Sequence, residues 1–431
     1  MFRRLGKKLV VVCTLVLSCG FLNAQTDGTY SGYSPYSAYG VGQLHGTGTA
    51  WNRGMGGVGI ATRSRRFVNT LNPASVTARD SLSCMSDFGL GGRVSIFREG
   101  DKKGANTTFN IDNFVISFPL WRHMAMMVGV SPFSDVGYSI SYSNTYYNSG
   151  KQSLVSSGKG GIYQVYTGVA ATFWNRLSVG AQLNYRFGTI VKGATIANEN
   201  STYFTLVPGD SLHVKNFAFK GGLQYEQPLP ANNFLTLGTT YTYSGKVRGE
   251  GIYYYDQGSY VHDRTVNTLS ETGLRMGNEW GVGLSWRKAD KWMVEFDYIR
   301  NDWTGSGMDA VKGFATEGTA AQFASSVGQS FRLGGEITPN RNDIRYYFRR
   351  CTYRMGAYYD ISHYTVNGRH VNAAGVTLGM TLPVFRWYNG LTVGLDLGRR
   401  GLDASQIKEN YFGFNVGFNM FDIWFQKPRY E

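Results

Sequence analysis

Tyr411-Phe412-Gly413-Phe414-Asn415-Val416-Gly417-Phe418-Asn419-Met420 alternates without a break. Phe412, Phe414, Val416, Phe418 and Met420 fall on one side; Tyr411, Gly413, Asn415, Gly417 and Asn419 fall on the other. Successive side chains of a β-strand point to opposite faces, so this stretch is an apolar face backed by a small and polar one. Leu391, Val393, Leu395 and Leu397 alternate in the same way with Thr392, Gly394, Asp396 and Gly398. So do Val376, Leu378, Met380 and Leu382 with Gly375, Thr377, Gly379 and Thr381. Far upstream, Leu177, Val179, Ala181, Leu183 and Tyr185 alternate with Ser178, Gly180, Gln182, Asn184 and Arg186.

A soluble β-sandwich alternates too, with one face packed and one solvated. Two features point instead to a membrane barrel. The polar partners are mostly Gly, Ser, Thr and Asn rather than the Lys and Glu of a wet surface. The runs also outlast the usual strand of about five or six residues. No mature segment approaches the roughly 20 apolar residues of a membrane helix. Aromatic residues make up 15% of the chain and 56 residues are Gly. A barrel needs both, aromatics for the interfacial girdles and Gly for tight packing in the lumen.

The connections set the strand number. Short turns fall near Trp121–His123, Asn175–Arg176, Pro228–Asn233, Lys288–Lys291, Thr338–Asp343 and Arg386–Asn389. Longer polar connections fall near Glu99–Asn106, Asn144–Gly158, Ile196–Ser211, Arg248–Arg275, Thr304–Gln329, Thr365–His370 and Gly401–Lys408. The two kinds interleave, and six turns with seven loops join fourteen strands. An even count, with short periplasmic turns and long external loops, is the outer-membrane pattern. The expected fold is all-β: a 14-stranded antiparallel transmembrane β-barrel over residues 84–431, with Gly251–His262 as a hairpin extension of an external loop.

Ahead of the barrel, Arg3, Arg4, Lys7 and Lys8 precede an apolar run from Leu9 to Leu17 and a small-residue stretch ending at Ala24. This is the layout of a secretory signal peptide over residues 1–24. Four cations fall in that leader, so the mature chain keeps +10 of the formal +14. Anionic lipid and lipopolysaccharide headgroups account for that charge, and nucleic acid is not an expected partner. Cys84 and Cys351 are the two cysteines left. They are too few for a disulfide scaffold, with one bond between them open.

Residues 25–83 lack sustained alternation and are crowded with glycine between Gly40 and Gly59. Glycine permits close packing and unusual backbone angles, which suits a plug folded inside the lumen. A phosphate loop is a poor alternative, because no strand precedes these glycines and no Lys-Ser/Thr follows. Arg53-Gly54-Met55-Gly56-Gly57-Val58-Gly59-Ile60-Ala61, followed by Asn72-Pro73-Ala74-Ser75, resembles the plug, or hatch, of the FadL-type transporters of long-chain fatty acids and hydrocarbons. Glu279 to Trp286 is similar to a strand start of that family, although Gly277 stands where the family usually has Pro. Ser34-Pro35-Tyr36 and the tract from Asn410 to Trp424-Phe425 look like Bacteroidota members of the superfamily. The resemblance implies an outer-membrane barrel of the same strand number, with a plug motif at Gly54, Gly56, Gly57, Gly59, Asn72, Pro73 and Ala74. It also implies passage of a hydrophobic small molecule. Some relatives are instead non-transporting subunits of outer-membrane assembly or secretion complexes, which is the competing expectation.

Pro132, within Gly129-Val130-Ser131-Pro132-Phe133-Ser134-Asp135, interrupts the third strand. It cannot donate to the ladder and marks a bulge or a break. The resemblance implies a kink there that opens a lateral window beside Gly129, Pro132 and Ser134; a harmless bulge is the plainer reading. Arg287, Glu295, Asp297, Arg332, Glu336, Arg354, Asp360 and Asp396 fall on the lumen face, both signs on neighbouring strands. Charges confined together need partners, so a polar network supporting the plug is expected, with capture of a carboxylate headgroup by an Arg fork as the sharper alternative. Arg63, Arg65 and Arg66 form a basic cluster, expected as a solvated face or as salt-bridge donors, with contact to an acidic partner as the alternative. The six histidines are scattered; His363 and His370 flank one loop and are close enough to pair. Neither a triad nor a zinc site is spaced out among them, so no enzyme, cofactor or metal is expected.

Overall fold

The alternating rows become a closed wall. The computed structural model describes residues 31–46, 48–79, 82–146, 150–198, 206–257, 260–289, 291–309, 311, 313–314, 322–384 and 389–423. Fourteen strands form the barrel. They are β1 (Ser83–Glu99), β2 (Lys102–Trp121), β3 (Met124–Tyr146), β4 (Gly150–Phe173), β5 (Leu177–Asn198), β6 (Leu206–Leu229) and β7 (Asn233–Ser244). There follow β8 (Asn278–Lys288), β9 (Trp292–Asp302), β10 (Val327–Ile337), β11 (Thr352–Val366), β12 (Arg369–Pro383), β13 (Gly390–Arg400) and β14 (Lys408–Ile423). All pairing is antiparallel, and β14 closes on β1 from Lys408 opposite Arg98 to Ile423 opposite Ser83. With no water in a bilayer core to satisfy backbone groups, a sheet that spans it must close in this way.

The apolar rows face outward. Along β8, Trp280, Val282, Leu284 and Trp286 stand 39%, 38%, 48% and 51% exposed, while Gly281, Gly283 and Ser285 between them are buried in the lumen. At the turn end, Trp121 and Trp174 protrude as interfacial aromatics do. Among the described residues no helix is long and apolar enough to cross a membrane.

Several connections differ from expectation. Glu99–Asn106 and Asn144–Gly158, expected as loops, are strand over most of their length, because β1 and β2 continue to Glu99 and Lys102, and β3 and β4 to Tyr146 and Gly150. Pairing satisfies the backbone beyond the membrane as well as solvent does. Arg248–Gln257 and Tyr260–Thr268 form the expected hairpin extension, and its first strand also pairs with β6. The turn after β10 runs past Asp343 to Cys351 through a helical turn at Tyr347–Arg350. Cys84 and Cys351 are buried, free thiols, so no bond joins them. The leader and Trp424-Phe425 lie outside the described residues.

Residues 31–46 and 48–79 run through the lumen and touch strands around the whole wall. Where they pass, the wall carries glycine. A Cβ on Gly180 of β5 would strike Ala74, on Gly222 of β6 Asn72, on Gly238 of β7 Ile60, on Gly334 of β10 Met55, and on Gly356 of β11 Gly56. Gly in a strand interior commonly marks such a close approach of another backbone.

Gly356→Val should therefore push Met55 and Gly56 off the wall, at a cost of about 1–3 kcal/mol for overpacking. Faster tryptic cleavage after Arg63, Arg65 or Arg66 in the folded, heat-modifiable barrel would report it. Gly104→Val, where an added Cβ meets nothing nearer than 4.0 Å, should leave cleavage unchanged.

Candidate functional site

Two carboxylates of β9 hold the inner segment. Glu295 and Asp297 have the same parity, point inward and are fully buried. Asp297 Oδ2 accepts from the backbone amides of Gly59 at 2.8 Å and Ile60 at 3.0 Å. Glu295 Oε1 accepts from the Ala61 amide at 2.8 Å, and its other oxygen accepts from the Thr62 hydroxyl. Four consecutive residues thus donate to two carboxyl groups. The carbonyls of the same stretch are taken by amide side chains: Val58 by Asn52 at 2.9 Å, Gly59 by Asn69 at 2.6 Å, and Ile60 by Asn72 at 2.8 Å and Gln224 at 2.9 Å.

The two halves of the glycine and Asn-Pro motif therefore meet in space. Gly56 and Gly57 have φ of +71° and +78°, the left-handed region that glycine enters without penalty. The amide of Gly56 donates to Thr377 Oγ1 at 2.7 Å, while Gly54 packs on Gly379 and Gly59 on Asn52 and Leu71. Asn72 caps the 3-10 turn Pro73–Thr77 by accepting from the Ala74 amide at 3.0 Å, and Pro73 opens it. Proline suits that first position, where its missing N–H would be unpaired anyway.

The lumen charges form separate groups, two of which the inner segment completes. Arg66 reaches Glu336 at 2.8 Å, and Arg354 reaches the same carboxylate at 3.3 Å. The Arg354 guanidinium also lies 3.4 Å over the Trp51 ring, which stacks on Phe67 at 4.2 Å. Arg287 pairs with Glu226 at 2.7 Å, and Arg63 approaches that carboxylate at 3.9 Å while donating to Ser178 at 2.6 Å. Arg332 faces Asp360 at 3.6 Å, Arg93 faces Asp396 at 3.9 Å, and the Tyr358 hydroxyl donates to Asp396 at 2.8 Å. Arg63 and Arg66 are inward donors; Arg65 is exposed. His363 packs on Trp303, and His370 bonds the Ser362 carbonyl, so the two imidazoles have separate partners.

The wall changes beside Pro132. Pairing of β2 with β3 runs from Trp121 and Met124 to Phe114 and Val130, and ends there. Beyond that point residues 102–111 and 113 pair only with β1, and residues from Ser131 to Tyr146 pair with β4. Both flanking strands carry a bulge, at Asp112 opposite β1 and at Phe133 opposite β4. A bulge adds a residue and bends its strand, so Asp112 joins Asn113 on the lumen side. Pro132 itself stays opposite Tyr163 of β4, Gly129 opposite Tyr166, and Ser134 is buried. Gln43 and Leu44 of the inner segment pair with Asp135 and Ser134 on the freed edge of β3.

A cluster that the sequence reading missed lies at the same place. His45 sits 3.2 Å from Asp112 on β2 and 3.1 Å from Asp135 on β3, and Arg53 pairs with Asp112 at 2.7 Å. The inner segment thereby bridges both sides of the gap. The adjacent polar pair Asp112-Asn113 breaks the alternation of β2 and was the available signal. A cavity of about 370 Å³ opens beside this cluster, lined by Thr108, Asn110, Phe133, Asn301, Arg332, Asp360 and Asp396 among others. A smaller one of about 70 Å³ reaches Pro132.

Asp297→Ala should strand the Gly59 and Ile60 amides at about 1–3 kcal/mol each. Loosening of the segment, read as faster tryptic cleavage between residues 63 and 66 while the barrel keeps its heat-modifiable band, is the expected result. Unchanged cleavage would exclude Asp297 as its tether.

Solved channels share this architecture. The chain is similar to the P. putida toluene transporter TodX, with a TM-score of 0.56 at 12% identity over 89% of this chain and 100% of that one. A Pseudomonas aeruginosa FadL homologue gives 0.55 at 10% over 88% and 99%, and the Ralstonia pickettii toluene transporter TbuX 0.53 at 14% over 87% and 98%. Identities this low carry the fold and not the cargo. No curated protein matches the sequence. At the level of family the match is direct: the chain fits the BamG family over residues 5–431, and it belongs to that family.

Proposed function

We propose that this barrel is an outer-membrane channel for hydrophobic compounds such as long-chain fatty acids, with residues 25–83 as its plug. The end of pairing at Phe114 and Val130, next to a lumen cavity, carries this reading. A solute held in the cavity leaves sideways between β2 and β3, past Gly129, Pro132 and Ser134. His45 and Arg53 are the latch, since they tie Asp112 and Asp135 across that opening. The toluene transporters TodX and TbuX, which share the architecture, support the reading by analogy.

A second reading has its own support: a non-transporting subunit of an outer-membrane assembly or secretion complex. Asn110, Asn301, Arg332 and Asp360 line the cavity, and an apolar solute gains little where it meets those groups. Ile252–Tyr255 in the hairpin extension, and the connection Thr304–Gln329, parts of which lie outside the described residues, would then be docking surfaces.

Uptake of labelled oleate and toluene by intact cells should fall on deletion of the gene and return on complementation. Unchanged uptake of both, with stoichiometric partner proteins retained on gentle extraction, would favour the second reading. The latch adds a pH dependence. Burial and Arg53 push the His45 imidazole down, but hydrogen bonds to Asp112 and Asp135 outweigh them and raise it above its ordinary 6.5. Raised in the folded state, a charged His45 closes the latch fully below its free value, and that attraction is lost as pH climbs through the folded one. Uptake should thus be greater at pH 8 than at pH 6, and His45→Ala should abolish the difference. A difference that survives the substitution would remove His45 from the gate.

A further inference from the structure

The turn between β10 and β11 is unlike the others. It runs from Thr338 to Cys351 and carries Arg341, Arg345, Arg349 and Arg350 against one acid, Asp343. That acid is used locally: Asp343 Oδ1 accepts from the Arg345 and Tyr346 amides at 2.9 and 2.8 Å, and Oδ2 lies 3.4 Å from Arg349. The turn also presents apolar groups to the outside, with Ile344 98% exposed and Tyr346 and Phe348 each 58% exposed. Two hydrogen bonds fix where it hangs. Tyr353 belongs to the lipid-facing row with Met355, Ala357 and Tyr359, and its hydroxyl donates to the Phe348 carbonyl at 3.0 Å. The Tyr347 hydroxyl donates to the Pro383 carbonyl at the end of β12, at 2.9 Å. Ile337 and Tyr353, paired across β10 and β11, end the apolar rows immediately beneath. The knob therefore lies on the lipid side of the rim, at the level where the apolar belt stops.

We propose that this knob is a binding surface for anionic phospholipid headgroups in the leaflet on the turn side. Ile344, Tyr346 and Phe348 enter the headgroup boundary, and Arg345, Arg349 and Arg350 meet the phosphates. Aromatic and aliphatic groups interleaved with arginine are the composition of interfacial segments, and an arginine fork matches a phosphate. Cationic guanidinium groups are held over the rings of the same turn, Arg349 over Tyr346 at 4.8 Å and Arg350 over Tyr347 at 5.1 Å, so the two chemistries form one surface. That this leaflet is the periplasmic one rests on the outer-membrane assignment of the barrel; the headgroup preference does not.

The test is reconstitution of the full-length barrel in nanodiscs holding equal phosphatidylglycerol and phosphatidylcholine, followed by native mass spectrometry of the lipids retained on release. The unsubstituted barrel should retain phosphatidylglycerol preferentially. Arg345→Ala with Arg350→Ala should cut that preference at least about fivefold. Arg345→Lys with Arg350→Lys should keep most of it, and Arg122→Ala on another turn should keep all of it. A heat-modifiable band confirms that each variant is folded. Equal retention of the two lipids by the unsubstituted barrel, or an unchanged preference in the double alanine variant, would overturn the proposal. So would loss from that variant of a protein that co-purifies from native membranes, with the lipid ratio unmoved. None of these outcomes bears on solute uptake, so the proposal and the channel reading fail separately.

Discussion

Two buried carboxyl groups on one strand are the constraint on which this molecule turns. Glu295 and Asp297 both project from β9 into a lumen without solvent around them. A buried carboxyl group without hydrogen-bond partners is costly, and ionising two side by side costs more. The chain answers with its own N-terminal segment, whose residues 59–62 donate four hydrogen bonds to the two groups. Wall and inner segment consequently depend on each other. The glycines of the wall make room for the segment, and the segment supplies the donors that the wall lacks.

The same coupling governs the gap. A strand edge without a partner exposes a row of N–H and C=O groups, which folded proteins cover or twist away. Here the edge of β3 is partly covered by Gln43 and Leu44, and the bulges at Asp112 and Phe133 bend the two flanking strands where they part. His45 and Arg53 then lie between carboxylates from both sides. A displacement of the segment near residues 43–53 would uncover the gap and break its ion pairs in one movement. The tether at residues 59–62 lies on the opposite wall, so such a movement need not detach the whole segment.

Architecture and cargo are separate matters in this fold. The solved channels TodX and TbuX and the FadL homologue share 10–14% of their residues with this chain at TM-scores of 0.53–0.56, and a lumen pocket is assembled from many strands at once. The cavity beside the gap is lined by asparagines, arginines and acids more than by aliphatic groups. That lining is where a channel for apolar solutes and a barrel serving a complex part company, because only the former must desolvate its cargo at that wall.

Much of this was legible in the chain. Period-two rows such as Phe412 to Met420 specified strands, their Gly and Asn partners specified a lumen, and the interleaved turns specified fourteen of them. These are local properties: each row carries its own facing pattern, and a slip of one residue would turn it inside out. The inward direction of Glu295, Asp297, Glu336 and Arg354 was readable for the same reason. Their partners were not. Arg66 meets Glu336 across 270 residues and Ala61 meets Glu295 across 234, distances over which no pattern in the chain links one residue to the other. The bulge at Asp112, the end of pairing at Val130 and the bridge made by His45 belong to the same class. Each follows from where closure of the barrel and docking of the inner segment place groups far apart in sequence, and only the folded barrel brings those groups together.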